Sequence, residues 1–140
     1  QVKKLGKSER SNKRIIVAED SPLLRKLLND TLTEAGFEYI EFFENGRDTL
    51  HYLEEIAKSG KNVEEHVHLV VKDIEMPQLD GHYLTKKIKD SKELGNLPVI
   101  IFSSLITDDL KHKGQMVGAN AQVSKPEITE LITLIDQHIL

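Results

Sequence analysis

The chain has 140 residues, 39% hydrophobic and 30% charged, a composition typical of one soluble globular domain. It contains no cysteine, which excludes disulfide bonds and thiolate metal sites. Its formal net charge of −4 argues against a nucleic-acid-binding surface, which is usually basic. No apolar stretch approaches the ~20 residues that span a bilayer, and no signal peptide is visible, so we expect a cytoplasmic protein without membrane insertion.

Residues 1–13 predict a basic linker or tail, because they carry four lysines, one arginine and only two apolar side chains. Residues 14–140 predict a single domain in which apolar runs alternate with helical patterns. The predicted strands are 14–18, 39–43, 69–72, 99–103 and 121–123. The predicted helices begin at Pro22, after Asn45-Gly46, at His82, at Asp108 and at Ile128, and residues 59–66 predict a loop. This alternation predicts an α/β fold with a parallel sheet and helices on both faces.

Polar residues follow four of the predicted strands, at the edge where open α/β sheets bind their ligands. They are three acids, a hydroxyl and an ammonium: Glu19, Asp20, Asp73, Ser103 and Lys125. A carboxylate can accept a phosphoryl group, and Mg²⁺ is held by carboxylate oxygens together with phosphate. Taken singly, each residue could also have a purely structural role, because acids favour helix N-termini, serines cap turns and lysines usually lie in solvent.

The order and type of these residues resemble the receiver domain of two-component response regulators, over roughly residues 13–140. The stretch Asp73-Ile74-Glu75-Met76-Pro77 followed by Asp80-Gly81 resembles the family's D-x-x-M-P-x-x-D-G motif. The resemblance implies a doubly wound (βα)5 fold with strand order 2-1-3-4-5. It also implies Asp73 as the phosphoacceptor and Mg²⁺ as the cofactor.

Further site residues are carried over from the resemblance position by position. Glu19, Asp20 and Asp73 would hold Mg²⁺ with the backbone carbonyl of Glu75, while Ser103 and Lys125 would contact the phosphoryl group. Gln122 departs from the family, which often has an aromatic residue there that takes part in the usual switch. Lys72 is unusual inside a buried strand, and we expect it to extend its amine to the surface.

The resemblance implies a signalling protein, not an enzyme, except that it assists its own phosphorylation and dephosphorylation. A histidine kinase would be the donor, and the output surface would be formed by helix 108–117, strand 121–123 and helix 128–140. Two rival classes stay open. One is an aspartyl-phosphate phosphatase, which usually needs a second Asp where Glu75 stands, and the other is a receiver-like scaffold that is never phosphorylated.

The segment Ala18–Lys26 and the stretch from Asp73 to Pro77 resemble the receiver of CheV-type chemotaxis proteins, in which a CheW-like coupling domain precedes the receiver. The partners implied are a CheA-like kinase and, through the upstream domain, the chemoreceptor array. The first residue is Gln rather than Met, which fits a piece of a longer chain. Since the last helix ends the sequence, we expect output through a partner or an upstream domain. A stand-alone CheY-like regulator of the flagellar motor is the alternative.

Overall fold

The computed structural model describes residues 10–60, 62–73, 81–103, 108–124 and 128–139. The strands are β1 (Arg14–Ala18), β2 (Tyr39–Phe43), β3 (Leu69–Lys72), β4 (Val99–Ser103) and β5 (Ala121–Ser124). The helices are α1 (Pro22–Ala35), α2 (Gly46–Lys58), α3 (Val63–His66), α4 (Gly81–Asp90), α5 (Asp108–Met116) and α6 (Ile128–Ile139). The five strands form one parallel sheet in the order β2-β1-β3-β4-β5, which confirms the predicted architecture.

Side chains that alternate along the strands fill two apolar layers, one on each face of the sheet. One layer combines the strand residues Ile15, Val17, Leu69, Val71, Ile100, Phe102 and Val123 with α1 and α6. The other combines Ile16, Ala18, Val70 and Val99 with α2 and α4. Both faces of the central strands are therefore covered, as their continuous apolar sequences predict.

The ends of the first two long helices follow from local chemistry. The Ser21 hydroxyl accepts a hydrogen bond from the Leu24 amide at 3.3 Å, and Pro22 occupies the first turn of α1. Gly36 ends α1 with a φ of 114°, a conformation that residues with a side chain rarely adopt. Asn45 caps α2, because its side-chain oxygen accepts from the Asp48 amide at 2.7 Å. These boundaries were predicted from the sequence.

The predicted loop at residues 59–66 is wrong in part, because it contains the short helix α3. The Val67 amide donates to the Val63 carbonyl at 2.9 Å, and both valines are buried in the layer beneath α2. Burial of these two side chains favours a helical turn within an otherwise polar segment. None of the helices in the described ranges combines the length and the apolar character that a membrane span requires.

Contrary to the expectation from the sequence, the Lys72 side chain does not reach the surface. It is 1% exposed and is among the largest fully buried side chains. It lies in the central strand, on the face that Val70 shares with α2 and α4. Because helices cover this face, the stem of the lysine is enclosed, and its neighbour in β1 is the small Ala18, which leaves room for it.

The prediction of a solvated segment over residues 1–13 is wrong at Arg10, which is 5% exposed. Its guanidinium pairs with the carboxylate of Asp136 in α6, with the closer N–O distance at 2.7 Å. It also donates to the Ala35 carbonyl at 2.7 Å and lies over the Phe37 ring. The packed unit therefore includes Arg10, four residues before β1. No local pattern points to a partner 126 positions away.

We expect Asp136→Asn to lower the free energy of unfolding by about 3 kcal/mol, because removing one member of a buried ion pair leaves the other charge uncompensated. Denaturant unfolding at neutral pH measures the change. The matched control is Asp30→Asn, which breaks the exposed pair of Asp30 with Lys26 at 3.0 Å and should cost no more than about 0.5 kcal/mol. Equal effects of the two substitutions would contradict a structural role for the Arg10 contact.

His68 should make the stability of the fold depend on pH. Its Nδ1 accepts from the Arg14 amide at 2.9 Å, and its own amide donates to the Arg14 carbonyl. Partial burial, then the charges of Lys13 and Arg14, lower the pKa of His68 below its ordinary value of 6.5. The unfolded chain therefore takes up the proton first, so stability is present above pH 6.5 and falls as the pH drops towards the lowered pKa.

We predict that lowering the pH from 7.5 to about 5.5 reduces the unfolding temperature of His68→Asn less than that of the wild type. The Asn oxygen accepts the same hydrogen bond without titrating. Unfolding midpoints across this range measure the effect. His51→Asn is the matched control, because the His51 side chain is 74% exposed, and it should keep the wild-type slope. Parallel curves for the wild type and His68→Asn would show that His68 is not the group responsible.

Candidate functional site

The carboxyl ends of β1 and β3 lie side by side and carry the predicted acids. Ala18 is paired with Lys72 in the sheet, so the residues that follow each strand leave at the same edge. The Asp73 amide donates to the Ala18 carbonyl at 3.2 Å, which continues the pairing one residue beyond β3. Glu19, Asp20 and Asp73 are thus brought together by the parallel register.

The three carboxylates form a cluster with the geometry of a cation site. One ligand oxygen from each of Glu19, Asp20 and Asp73 lies within 4.8 Å of the others. Glu19 and Asp73 are buried, whereas Asp20 is exposed. Three like charges at this separation repel one another, and a hard divalent cation with oxygen ligands relieves the repulsion. The donor set therefore fits Mg²⁺.

Glu19 is fixed by its own backbone and side chain. Its amide donates to the Phe43 carbonyl of β2 at 2.9 Å, and its Oε2 accepts from the Ser21 amide at 3.1 Å. The second contact places a carboxylate at the N-terminus of α1, where acids are favourable. Glu19 is therefore both an acid at the N-terminus of α1 and a member of the acidic cluster.

Ser103 ends β4, the strand next to β3, and is buried at 1% exposure. Lys72 pairs with Ile101, so Ser103 lies on the same edge of the sheet as Asp73. Ser103 pairs with Ser124 at the end of β5. Lys125 and Glu75, which the resemblance assigns to the site, lie outside the described residues, as do residues 76–80.

Gln122 is half-buried and lies against α5. A Cβ placed on Gly114 would approach the Gln122 amide to 2.6 Å, so a larger residue at this position would require the end of the Gln122 side chain to shift. Glycine in a helix is unfavourable by about 1 kcal/mol relative to alanine. The Gln122 amide therefore packs closely against α5 at this glycine.

Sequence reasoning missed Arg25, which contacts the acidic segment directly. Its guanidinium donates to the Glu19 carbonyl at 2.8 Å and lies 3.4 Å from the Glu44 carboxylate. The signal that could have revealed it was its position near the start of α1, where a cation is unfavourable and needs a local partner.

Comparison with known proteins assigns this arrangement to a family. Residues 15–136 match the family described as the response regulator receiver domain. The chain belongs to this family. The resemblance inferred from the sequence is therefore confirmed.

The chain is 36% identical over 121 residues to the chemotaxis protein CheV2 of Helicobacter pylori, covering 86% of this chain and 37% of that protein. It is 31% identical over 114 residues to the polar-differentiation response regulator DivK of Brucella ovis, covering 81% of this chain and 85% of DivK. The chain thus spans less than two fifths of the CheV protein and most of DivK.

A solved structure shares the fold. It is the receiver domain of the sensor histidine kinase PA1611 from Pseudomonas aeruginosa, with a magnesium ion coordinated in its active site cleft. The TM-score is 0.76 at 19% identity, and the match covers 91% of this chain and 98% of that one.

We predict that Asp20→Asn raises the thermal midpoint in EDTA and reduces the stabilisation by millimolar Mg²⁺. Neutralising one of three clustered charges relieves repulsion in the metal-free protein, whereas a ligand that binds the folded state stabilises it more the more tightly it binds. Thermal unfolding with EDTA and with Mg²⁺ gives both values. Asp90→Asn, an exposed carboxylate on α4 paired with Lys86, is the control and should respond to Mg²⁺ like the wild type. Equal Mg²⁺ stabilisation of Asp20→Asn and wild type would contradict a metal role for the cluster.

Proposed function

We propose that this protein is a phosphoacceptor receiver in two-component signalling, in which Asp73 takes a phosphoryl group from a histidine kinase. The observation that carries the proposal is the cluster of Glu19, Asp20 and Asp73, with their ligand oxygens within 4.8 Å at the ligand-binding edge of the sheet. Membership of the receiver family supports it.

The carboxylate of Asp73 acts as the nucleophile. One of its oxygens forms a bond to phosphorus while the bond between phosphorus and the imidazole nitrogen of the donor breaks, and that nitrogen keeps the electron pair and takes a proton. Glu19 and Asp20 hold Mg²⁺ together with Asp73. A bound Mg²⁺ supplies positive charge that neutralises the phosphoryl oxygens.

The partners of the phosphoryl oxygens are proposed to be the Ser103 hydroxyl and the Lys125 ammonium. Ser103 is held at the end of β4, beside the strand that precedes Asp73. We also propose that the backbone carbonyl of Glu75 completes the metal ligands. These roles rest on the receiver family to which the chain belongs and on the positions of these residues in its sequence.

The protein is proposed to act as a regulator, not as an enzyme on other substrates, and to assist only its own phosphorylation and dephosphorylation. Phosphorylation then shifts the population of conformers at the surface formed by α5, β5 and α6. An aspartyl-phosphate phosphatase is less well supported, because Glu75 stands where such enzymes usually place their second Asp.

The similarity to CheV2 supports a chemotaxis role, and we propose that the protein acts in the cytoplasm. In this proposal a CheA-like kinase is the donor, and a CheW-like domain upstream of the receiver links it to the chemoreceptor array. The alternative proposal is a stand-alone regulator, for example a CheY-like protein acting at the flagellar motor.

The test is intact mass after incubation with Mg²⁺ and acetyl phosphate, then with a phosphorylated CheA-type kinase. We expect the wild type to gain one phosphoryl group from either donor. Asp73→Asn should gain none, because the amide is not a nucleophile for phosphorus, and EDTA should abolish the gain. Ser103→Ala should be phosphorylated more slowly.

Asp30→Asn, an exposed acid on α1, is the matched control and should be phosphorylated like the wild type. If the wild type gains no phosphoryl group from either donor, the proposal fails and the scaffold interpretation replaces it. Transfer from acetyl phosphate but not from a CheA-type kinase would retain the receiver chemistry and reject the chemotaxis donor.

A further inference from the structure

Arg25 occupies a position in α1 that helix electrostatics alone does not explain. It is the fourth residue of the helix, and its amide donates to the carbonyl of Ser21, the N-cap. The N-terminus of a helix carries partial positive charge, so a cation in the first turns is unfavourable there. The side chain must therefore gain from contacts elsewhere.

Those contacts are with the segment that carries the acidic cluster. One terminal nitrogen of Arg25 donates to the Glu19 backbone carbonyl at 2.8 Å, and the other lies 3.4 Å from Oε1 of Glu44. The Arg25 side chain is 19% exposed, so its hydrogen bond to Glu19 is largely shielded from water. A planar guanidinium suits this double contact, since its donors diverge in a fixed geometry.

The two contacts of Arg25 link the carboxyl end of β1 to the carboxyl end of β2. Glu44 directly follows β2, and the Glu19 amide donates to the carbonyl of Phe43, the last residue of that strand. The peptide groups on both sides of Glu19 are thus fixed, one by Phe43 and the other by Arg25. The peptide group bound by Arg25 is the one that joins Glu19 to Asp20. Its orientation therefore determines where the Asp20 carboxylate lies.

We propose that Arg25 is a positioning residue for the metal site: its guanidinium holds the peptide between Glu19 and Asp20 so that both carboxylates meet Asp73. The inference rests on the proposed function, because it assigns Arg25 to the same Mg²⁺ site. Arg25 acts through the backbone and does not touch the metal.

If Arg25 acted only through its charge, its removal would change the Mg²⁺ affinity in the opposite direction from the loss of a positioning contact. A cation close to the cluster repels Mg²⁺, so removing it would tighten metal binding. Removing a positioning contact weakens binding instead. The sign of the change in Mg²⁺ affinity therefore separates the two roles.

The test is the dissociation constant of Mg²⁺, measured by titration calorimetry on the unphosphorylated protein. We expect Arg25→Met to bind Mg²⁺ about 10-fold more weakly, as is usual when an outer group that orients metal ligands is lost. Arg25→Lys keeps the charge and a group that can donate to the Glu19 carbonyl, and should recover part of the affinity. The control Lys26→Met removes the neighbouring cation of α1, which is 75% exposed and paired with Asp30, and should stay within twofold of the wild type.

Thermal unfolding in EDTA shows whether each variant is folded before the titration. If Arg25→Met does not fold, Arg25→Gln takes its place, because glutamine lacks the charge and the reach of the guanidinium, and wild-type Mg²⁺ affinity in that variant overturns the inference. Unchanged or tighter Mg²⁺ binding by folded Arg25→Met also overturns it. A wild type that does not bind Mg²⁺ at all overturns the proposed metal site as well, so the two failures are distinguishable.

Discussion

Three negative charges are held together at one edge of this sheet, and much of the surrounding structure serves to keep them there. Oxygens of Glu19, Asp20 and Asp73 lie within 4.8 Å of one another, although like charges in water would separate. The parallel pairing of β1 with β3 brings the segments together, and the hydrogen bond from Asp73 to Ala18 extends that pairing to the acid itself. The two apolar layers on the faces of the sheet make this register rigid, because a slip by one residue would turn every strand side chain to the opposite face.

The fold and the acidic cluster could be predicted from sequence because their signals are local. The apolar runs that form β1, β3 and β4 are short and continuous, as expected of buried parallel strands. Ser21-Pro22 marks the start of α1, and Gly36 marks its end. Once the strands are assigned, the parallel arrangement places the residues after them at one edge, so Glu19, Asp20 and Asp73 follow directly.

The features that could not be predicted depend on contacts between distant parts of the chain. Arg10 looks like one of several charges in a basic tail until its partner Asp136 is known. Lys72 resembles a surface lysine, and only the helices on its side of the sheet show that it is enclosed. The helical turn α3 forms in a polar segment because two valines separated by a single turn are both buried. No periodicity or motif carries this information, since each case depends on packing between elements.

The helix α1 connects the acidic cluster to the buried pair near the other end of the sheet. Its N-cap Ser21 and its first-turn residue Arg25 both bind Glu19, through its side chain and its carbonyl respectively. Its last residue, Ala35, offers the carbonyl that accepts from Arg10, and Arg10 is in turn paired with Asp136 of α6. The 14 residues of α1 span about 21 Å at the usual helical rise. Hydrogen bonds at both ends of one helix therefore join the proposed metal site, the segment before β1 and the last helix into a single unit. Arg10, just before β1, is therefore held by the same helix whose first residues contact Glu19.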